Sequence, residues 1–445
     1  MSNKLRHYFD FCVQIRSHKT FFFKLNEDCF NEIFNRLPLK DLNSLAQTCK
    51  RLHDFTSKYF QQHFATVEVH YGKDGPIAFE SIRVDAFSQF IQRLSIHRVD
   101  LCSFRNIAAT FKSLKELNLM GLHLTAPKIE CLKKIFEKIE ILKIRDIEIE
   151  ADGLHFLKFC NNLQRLSVRN LKTINTSFEM DKQSSSLTVD NGWLRQKYPN
   201  LKHFELIEVE ILKFCDVLAF FKENPNIRSF STDTKFLSRF EHLITEVNVS
   251  LNDLTIVRDC KDDLINQSIS IQLNHLHKLG FYERLHWIGA YLPFEGRTLQ
   301  TQIDQLSRLQ PLKTLRFKAL VYVIPHVDLS ELINVTELSM IDPQMGTSIG
   351  KLASELLNLE RISFTHAFLD DITPFVVCSK KLKEIHLYGD IRSSNDIIYL
   401  RTLNKSRTKL EGASKVTIHA NDTIYTETKW AIGETNFRLI ELKRS

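Results

Sequence analysis

From residue 91 onward, short bursts of alternating apolar and polar positions recur along the chain. LKELNLMGLHL begins at 114, IEILKIRDIEI at 139, LQRLSVRNLKT at 163 and LKHFELIEVEI at 201. LNDLTIVRDC follows at 251, LHKLGFYERL at 276, LKTLRFKALV at 312, VTELSMIDPQ at 335, LERISFTHAFL at 359 and LKEIHLYGDI at 382. Weaker copies start at 91 (IQRLSIHRVDL) and 227 (IRSFSTDTKFL), and most starts lie 23 to 26 residues apart. Period-two alternation predicts a short strand in each burst. Segments between them, such as PKIECLKKIFEKIE and DGLHFLKFCNNL, read as helical pieces.

A strand and a helix repeating at this interval are the signature of a leucine-rich repeat. In LxxLxL the second and third apolar residues point inward, Leu117 and Leu119 in the first clear copy. No unit buries its own apolar face, so neighbours must stack. The expected fold is α/β: a curved leucine-rich-repeat solenoid with parallel strands inside and helices outside. The slot that often holds Asn or Cys carries Leu122, Ile147, Leu171, Val209 and Leu320 here, so the turn backbone must be satisfied by other means. Two intervals are long, 163 to 201 and 276 to 312. They suggest inserts near 172–198, with Ser184 to Ser186, and near 286–311, with Trp287, Tyr291 and Phe294. After 410, KVTIHA and TIYTETKW alternate at period two around the turn pair Asn421-Asp422, and FRLIELKRS follows. This reads as strands that cap the array.

The front of the chain has another texture. In LNEDCFNEIFNRLPLKDLNSLAQTCKRL, Asn26 can cap a helix whose first turn carries Glu27 and Asp28. Phe30, Ile33, Phe34 and Leu37 form one apolar stripe at helical spacing. Pro38 ends that helix. Asp41 can cap the next, whose stripe is Leu42, Leu45, Ala46, Cys49 and Leu52. A third helix is expected over Thr56 to Phe64. So small a unit is marginal alone, and its surplus apolar surface calls for a cover.

Composition adds mainly exclusions. The chain has 445 residues, is 43% hydrophobic and 25% charged, and carries a net charge of +7. That charge is spread out, which disfavours nucleic acid as a partner. The nine cysteines form no CxxC, so no metal framework is expected, and reduced thiols fit a cytoplasmic or nuclear setting. The N-terminus is too often interrupted by charge for a secretory segment, and no run reaches the ~18 apolar residues of a membrane span. No nucleotide loop, nucleophile elbow or zinc-protease motif occurs, so neither catalysis nor a cofactor is expected. The pair His275 and His277 is a weak ligand signal without a third group nearby.

The opening helices resemble an F-box, the module by which substrate receptors dock on the Skp-type adaptor of cullin–RING ubiquitin ligases. The residues that carry the resemblance are Leu25, Ile33-Phe34, Leu37-Pro38-Leu39, Asp41-Leu42, Leu45, Cys49 and Leu52. The pattern departs from it in opening Leu25-Asn26 where Leu-Pro is common, and in Lys50-Arg51 where Trp often follows the cysteine. The resemblance implies a small all-α F-box module at 21–66, after an extension at 1–20 and before the solenoid at 67–409 and the cap at 410–445. It implies adaptor docking through Leu25, Phe30, Ile33, Phe34, Leu37, Pro38, Leu42 and Leu45, some of which must instead fill the module's own core. The implied function is a non-catalytic substrate-recognition subunit of an SCF-type ligase. The alternative is a ligase-independent protein-binding scaffold.

On the inner strands, offsets 2, 4 and 6 from each first leucine face outward. These are Ile141, Lys143 and Arg145, then Arg165, Ser167 and Arg169. The later sets are Thr314, Arg316 and Lys318, and Glu384, His386 and Tyr388. Lys143, Arg145, Arg165 and Arg169 would thus cluster on adjacent strands about 5 Å apart. Such a cluster can hold an acidic or phosphorylated segment of a target.

Overall fold

The computed structural model describes residues 25–445 apart from 73–74, 79–81, 98–106, 151–152, 175–191, 210–213, 234–235, 237–250, 259–283, 290–299, 301–302, 305, 309–311, 319–327, 342–347, 366–368 and 389–396. Three helices come first: α1 (Glu27–Phe34), α2 (Leu39–Ala46) and α3 (Lys50–His63). Asn26 caps α1 as expected, its side-chain oxygen accepting from the Cys29 N–H at 2.9 Å. The cap of α2 is different. Pro38 sits at the cap position without a side-chain bond, and Asp41 lies inside the helix. The third helix starts at Lys50, a full turn and more before the expected Thr56.

The strands follow: β1 (Glu68–Gly72), β2 (Gly75–Ala78), β3 (Ile82–Arg83), β4 (Arg93–His97), β5 (Glu116–Met120), β6 (His123–Leu124), β7 (Ile141–Glu150), β8 (Arg165–Ile174) and β9 (His203–Ile207). Then come β10 (Ser229–Asp233), β11 (Asp253–Arg258), β12 (Arg284–Gly289), β13 (Leu312–Lys318), β14 (Glu337–Ile341), β15 (Arg361–Phe364), β16 (Glu384–Leu387), β17 (Val416–Ala420) and β18 (Ile440–Arg444). The short β2 and β3 turn back antiparallel at one edge. From β1 through β4, β5 and β7 to β18, each strand pairs in parallel with that of the next repeat. Parallel neighbours require crossovers. These carry α4 (Ala126–Phe136), α5 (Phe214–Glu223), α6 (Ser348–Glu355), α7 (Leu369–Cys378), α8 (Leu400–Arg407) and α9 (Asp422–Ile432), with 3-10 turns at Gly153–Phe159 and Gly192–Arg195. The inward pairs form the core: Leu117 and Leu119, Leu142 and Ile144, Leu166 and Val168, Phe204 and Leu206, Ile362 and Phe364 are all buried.

Two further expectations need correction. TIYTETKW is not a strand: it lies in α9, and Asn421 is its cap, accepting from the Ile424 N–H at 2.9 Å. Its β-branched residues alternate in sequence, but Ile424, Tyr425 and Thr428 are buried together on one helical face. The C-terminal segment is therefore one more strand–helix–strand repeat. The repeat placed at 276 also shifts. The strand that pairs with β11 and β13 is Arg284–Gly289, inside the stretch read as an insert, and Trp287 takes the register position of Leu315. Tyr291, Phe294, Ser184 to Ser186, His275 and His277 lie outside the described residues.

The turn backbone finds its partners one step away from the expected slot. Leu122, Ile147 and Leu171 are buried core residues. The residue before each slot, Gly121, Asp146, Asn170 or Glu208, takes a positive φ, a conformation that Gly, Asn and Asp tolerate best. An asparagine ladder exists just ahead of the strands instead. Asn162, Asn200, Asn226 and Asn358 donate to the carbonyls of Glu137, Asn161, Pro199 and Ile333 in the preceding repeat, at 2.8, 3.4, 3.2 and 2.6 Å.

Arg407 performs a related task deeper down. Its side chain is fully buried and donates to the carbonyls of Val376, Ser379, Lys380, Leu382 and Ser414 at 2.7–3.2 Å. A helix end leaves its last carbonyls without partners, and this guanidinium gathers those after α7. Burial pushes its pKa down to about 10.

The helical module at the front touches both ends of the array. On one side α3 packs on the 3-10 turn Asp85–Phe90, where Phe60 and Phe87 stack with ring centres 4.4 Å apart. On the other, the buried Asp422 carboxylate accepts from the Leu39 N–H at 2.9 Å, which supplies α2 with the cap that Pro38 lacks. Arg444 lies 3.3 Å from Asp422, donates to the carbonyls of Asn35 and Leu37, and covers the rings of Phe64 and Tyr425. Trp430 donates to the Arg36 carbonyl at 2.9 Å. First and last repeats thus meet across the module.

Replacing Arg407 by Met leaves its carbonyls unsatisfied and is expected to cost at least about 3 kcal/mol. Thermal unfolding followed by circular dichroism checks this. Arg407→Lys, which keeps the charge but loses the fork, should fall between the two, and a Met variant melting with the parent would contradict the assignment.

Candidate functional site

Two surfaces carry chemistry. The first is the helical module. Phe30, Phe34 and Leu42 are fully buried, and an aromatic cluster joins them: Phe30 stacks on Phe55 with centres at 4.7 Å, and Phe34 meets the edge of Tyr59 at 5.4 Å. These three fill the interior of the module. Leu25, Ile33, Leu37, Pro38 and Leu45 are half-buried and keep apolar surface at the boundary with solvent. The structure thus sorts the eight residues into a core set and a presented set.

The second surface is a pocket of about 500 Å³ on the inner wall, where Lys143, Arg145, Arg165 and Arg169 come together as their spacing implied. The register explains why. Lys143 pairs with Ser167, Arg145 with Arg169, and Ile141 with Arg165 on β7 and β8. The remaining lining comes from flanking strands: Glu68 and His70 of β1, His97 of β4, Asn118 and Met120 of β5, His203, Phe204 and Glu205 of β9, Ser229 and Ser231 of β10.

The four cations differ in state. Lys143 lies 2.5 Å from Glu116, which also takes Arg93 at 3.1 Å. Arg169 grips Glu205 with two bonds, at 2.5 and 2.7 Å, and the Ser167 hydroxyl donates to the same carboxylate. Arg145 and Arg165 are exposed and form no ion pair among the described residues. Burial pushes the Glu205 carboxyl up, but the Arg169 guanidinium and the Ser167 hydroxyl more than offset it and hold it below the usual carboxylate range. Glu68 behaves alike: burial raises it, while Ser95, His70 and Asn118 bring it down. Burial and the nearby Arg165 lower His203, so this ring is neutral at physiological pH. The two histidines at the far end, His70 and His97, share a nitrogen–nitrogen contact of 3.1 Å.

Reading cations alone missed the acids. Glu116 stands at offset 2 of the repeat at 114 and Glu205 at offset 4 of the repeat at 201, so the same spacing rule would have found both. Of the later offset residues, Thr314 donates to Glu337 at 3.0 Å, and only the backbone of Arg316 and Lys318 is described. Glu384 binds Arg361 at 2.6 Å, His386 stacks on His419 with centres at 4.5 Å, and Tyr388 is exposed. Among the described residues no His, Cys, Asp and Glu cluster is placed to hold a metal ion, and no helix is long and apolar enough to cross a membrane.

The F-box domain family matches residues 22–60, the segment that contains α1, α2 and most of α3. This chain carries an F-box. A repeat solenoid of parallel strands follows it, so the arrangement is an F-box joined to leucine-rich repeats. A comparison with curated proteins finds no match. Among solved structures, an internalin from Listeria monocytogenes is 11% identical, with 88% of this chain and 92% of that one covered and a TM-score of 0.23. A chain of the yeast Rad7–Elc1 complex structure is similar at 16% identity, with coverage of 80% and 92% and a TM-score of 0.37. The Toll–Spätzle complex structure from Drosophila gives 10% identity, coverage of 74% and 60%, and a TM-score of 0.20. Such distant likenesses bear on neither activity nor partners, and the solenoid assignment rests on the strand register itself.

The lowered pKa of Glu205 has a testable sign. A carboxyl depressed in the folded state stabilises the fold fully above its unfolded value of 4.5, and that contribution disappears as pH falls through the folded value. Glu205→Gln should therefore melt below the parent at neutral pH, and the gap should close as pH falls under 4.5. Thermal midpoints measured across the acid range check this, and a gap that does not change with pH would contradict it.

Proposed function

We propose that this protein is the target-recognition subunit of an SCF-type cullin–RING ubiquitin ligase, acting in the cytoplasm or nucleus. The observation that carries the reading is the F-box at 22–60, whose half-buried Leu25, Ile33, Leu37, Pro38 and Leu45 leave apolar surface for an adaptor. A Skp-type adaptor would cover these side chains, and the inner wall of the solenoid would hold a protein target. No side chain of this chain need react. Holding the target beside a ubiquitin-charged enzyme raises the effective concentration of its lysines, and proximity alone accelerates transfer.

A specific contact favours a second reading. Trp430 and Arg444 of the last repeat bind the loop between α1 and α2, and Asp422 binds the first residue of α2. An F-box held in this way could serve as the keystone of a ligase-independent scaffold. Both readings share the solenoid and differ in whether the adaptor binds.

Capture of purified full-length protein by an immobilised Skp-type adaptor separates them. The parent should bind, and a variant carrying Ile33→Asp and Leu37→Asp should lose at least about tenfold in affinity. Unchanged circular dichroism of that variant is the folding control. A parent that does not bind the adaptor would overturn the ligase reading in favour of the scaffold.

A further inference from the structure

The last repeat sets one large apolar side chain against the F-box and leaves part of it uncovered. Trp430 lies near the end of α9 and is 40% exposed, the bulkiest of the exposed apolar side chains among the described residues. Its ring is held in place. The indole N–H donates to the Arg36 carbonyl at 2.9 Å. The helix that carries it is anchored just over two turns earlier, where the Asp422 carboxylate accepts from the Leu39 N–H. A side chain fixed in this way loses little further freedom when a partner covers it.

The surroundings of the ring decide what kind of partner fits. Three consecutive carbonyls of the α1–α2 loop are taken by the last repeat: Asn35 and Leu37 by Arg444, and Arg36 by Trp430. The Arg36 side chain is itself paired with Glu32 at 3.2 Å. The Leu37 N–H donates to the Phe34 carbonyl at 3.1 Å, which continues the winding of α1 and holds the loop to it. The polar groups of this edge are therefore engaged within the chain. What it offers outward is apolar: the half-buried Leu37 and Pro38, and beside them the exposed part of the indole. Leu37 and Pro38 belong to the surface that the F-box presents, so Trp430 extends that surface without a break. Tryptophan is also among the side chains that most often carry binding energy at a protein interface.

We infer that Trp430 completes the adaptor-docking surface, the Skp-type adaptor covering the indole together with Leu37 and Pro38. The interface is then built jointly by the F-box and by the last repeat, nearly four hundred residues away in sequence. The inference rests on the reading of the F-box as the adaptor site. It gives the closure of the array a second role, because the contact that fixes the α1–α2 loop also delivers a side chain to the partner. The uncovered two fifths of the indole side chain amounts to about 100 Å². Covering that area corresponds to at least about tenfold in affinity.

The test uses full-length protein labelled with fluorotryptophan and purified unlabelled Skp-type adaptor. Fluorine resonances arise from Trp193, Trp287 and Trp430, and the one missing in Trp430→Phe belongs to Trp430. Adding adaptor should move that resonance and abolish its shift between light and heavy water. Trp193, already buried in the solenoid, should not respond. Capture of Trp430→Ala should be weaker by at least about tenfold, with its circular dichroism unchanged. A parent that binds the adaptor while its Trp430 resonance stays open to solvent would overturn the inference and leave the F-box reading standing. In that case weaker capture by Trp430→Ala would make the indole a support for the loop and not a contact. Undiminished capture by Trp430→Ala would overturn the inference equally. Loss of the solvent shift at rising protein concentration without adaptor would assign the strip to a second copy of this chain and overturn the adaptor as its cover. A parent that does not bind the adaptor removes this inference and the F-box reading together.

Discussion

A strand whose inner face is apolar has to be covered by its neighbour, and the first and last repeats of an array lack one neighbour each. That constraint organises the whole chain. The interior repeats satisfy it by parallel pairing and by stacking Leu117 on Leu142 on Leu166 along the core. The ends satisfy it through the F-box, which offers Phe60 to the first repeat and the α1–α2 loop to the last. Asp422 and Arg444 are costly to bury as charges, but each faces the other and backbone partners of the F-box. The module that would meet the adaptor is therefore also the piece that closes the array, so its orientation relative to the inner wall is fixed by packing and not by a tether.

The chemistry of the inner wall follows from the same lattice. Inward positions must be apolar for stacking, which frees the alternate positions for charge. On β5, β7, β8 and β9 those positions hold Glu116, Lys143, Arg145, Arg165, Arg169 and Glu205, brought side by side by register although they are up to ninety residues apart in sequence. The acids do more than neutralise. By gripping Arg169 with two bonds and Lys143 with one, they fix where cationic charge is presented. The ladder of Asn162, Asn200, Asn226 and Asn358 keeps successive turns in step, so the spacing of the pocket is set by the backbone beneath it.

Much of this was legible in the chain. The spacing of Leu117 and Leu119, repeated in later copies, identifies the inward face, and the outward offsets place four cations together. Asn26 marks the start of the first helix, whereas Pro38 stands at the cap position of the second, the first having already ended at Phe34. What escaped reading depends on partners distant in sequence. Asp422 caps a helix nearly four hundred residues away, and no local pattern announces that. Arg407 looks like a surface residue in LNKSRTK, yet its guanidinium gathers carbonyls from a neighbouring repeat. TIYTETKW alternates like a strand, but the crossover between β17 and β18 requires a helix there, and tertiary packing overrides β propensity. The repeat at 276 was displaced because LHKLGF and RLHWIG fit the same short pattern, and only pairing with both neighbours chooses between them. Within the F-box, helical spacing alone could not separate Phe30 and Phe34 from Ile33 and Leu37. The burial of the aromatic pair against Phe55 and Tyr59 does.

The most direct test of this account asks whether the last repeat really caps the F-box. Native-state hydrogen exchange, read on peptides spanning residues 35–46, reports the protection of the Leu39 amide that donates to Asp422. If the array is closed by this contact, Asp422→Ala will speed exchange in that segment while protection in β7 to β9 stays as in the parent. Unchanged exchange at 35–46 would mean that the F-box stands independently of the last repeat, and the closed arrangement would have to be abandoned.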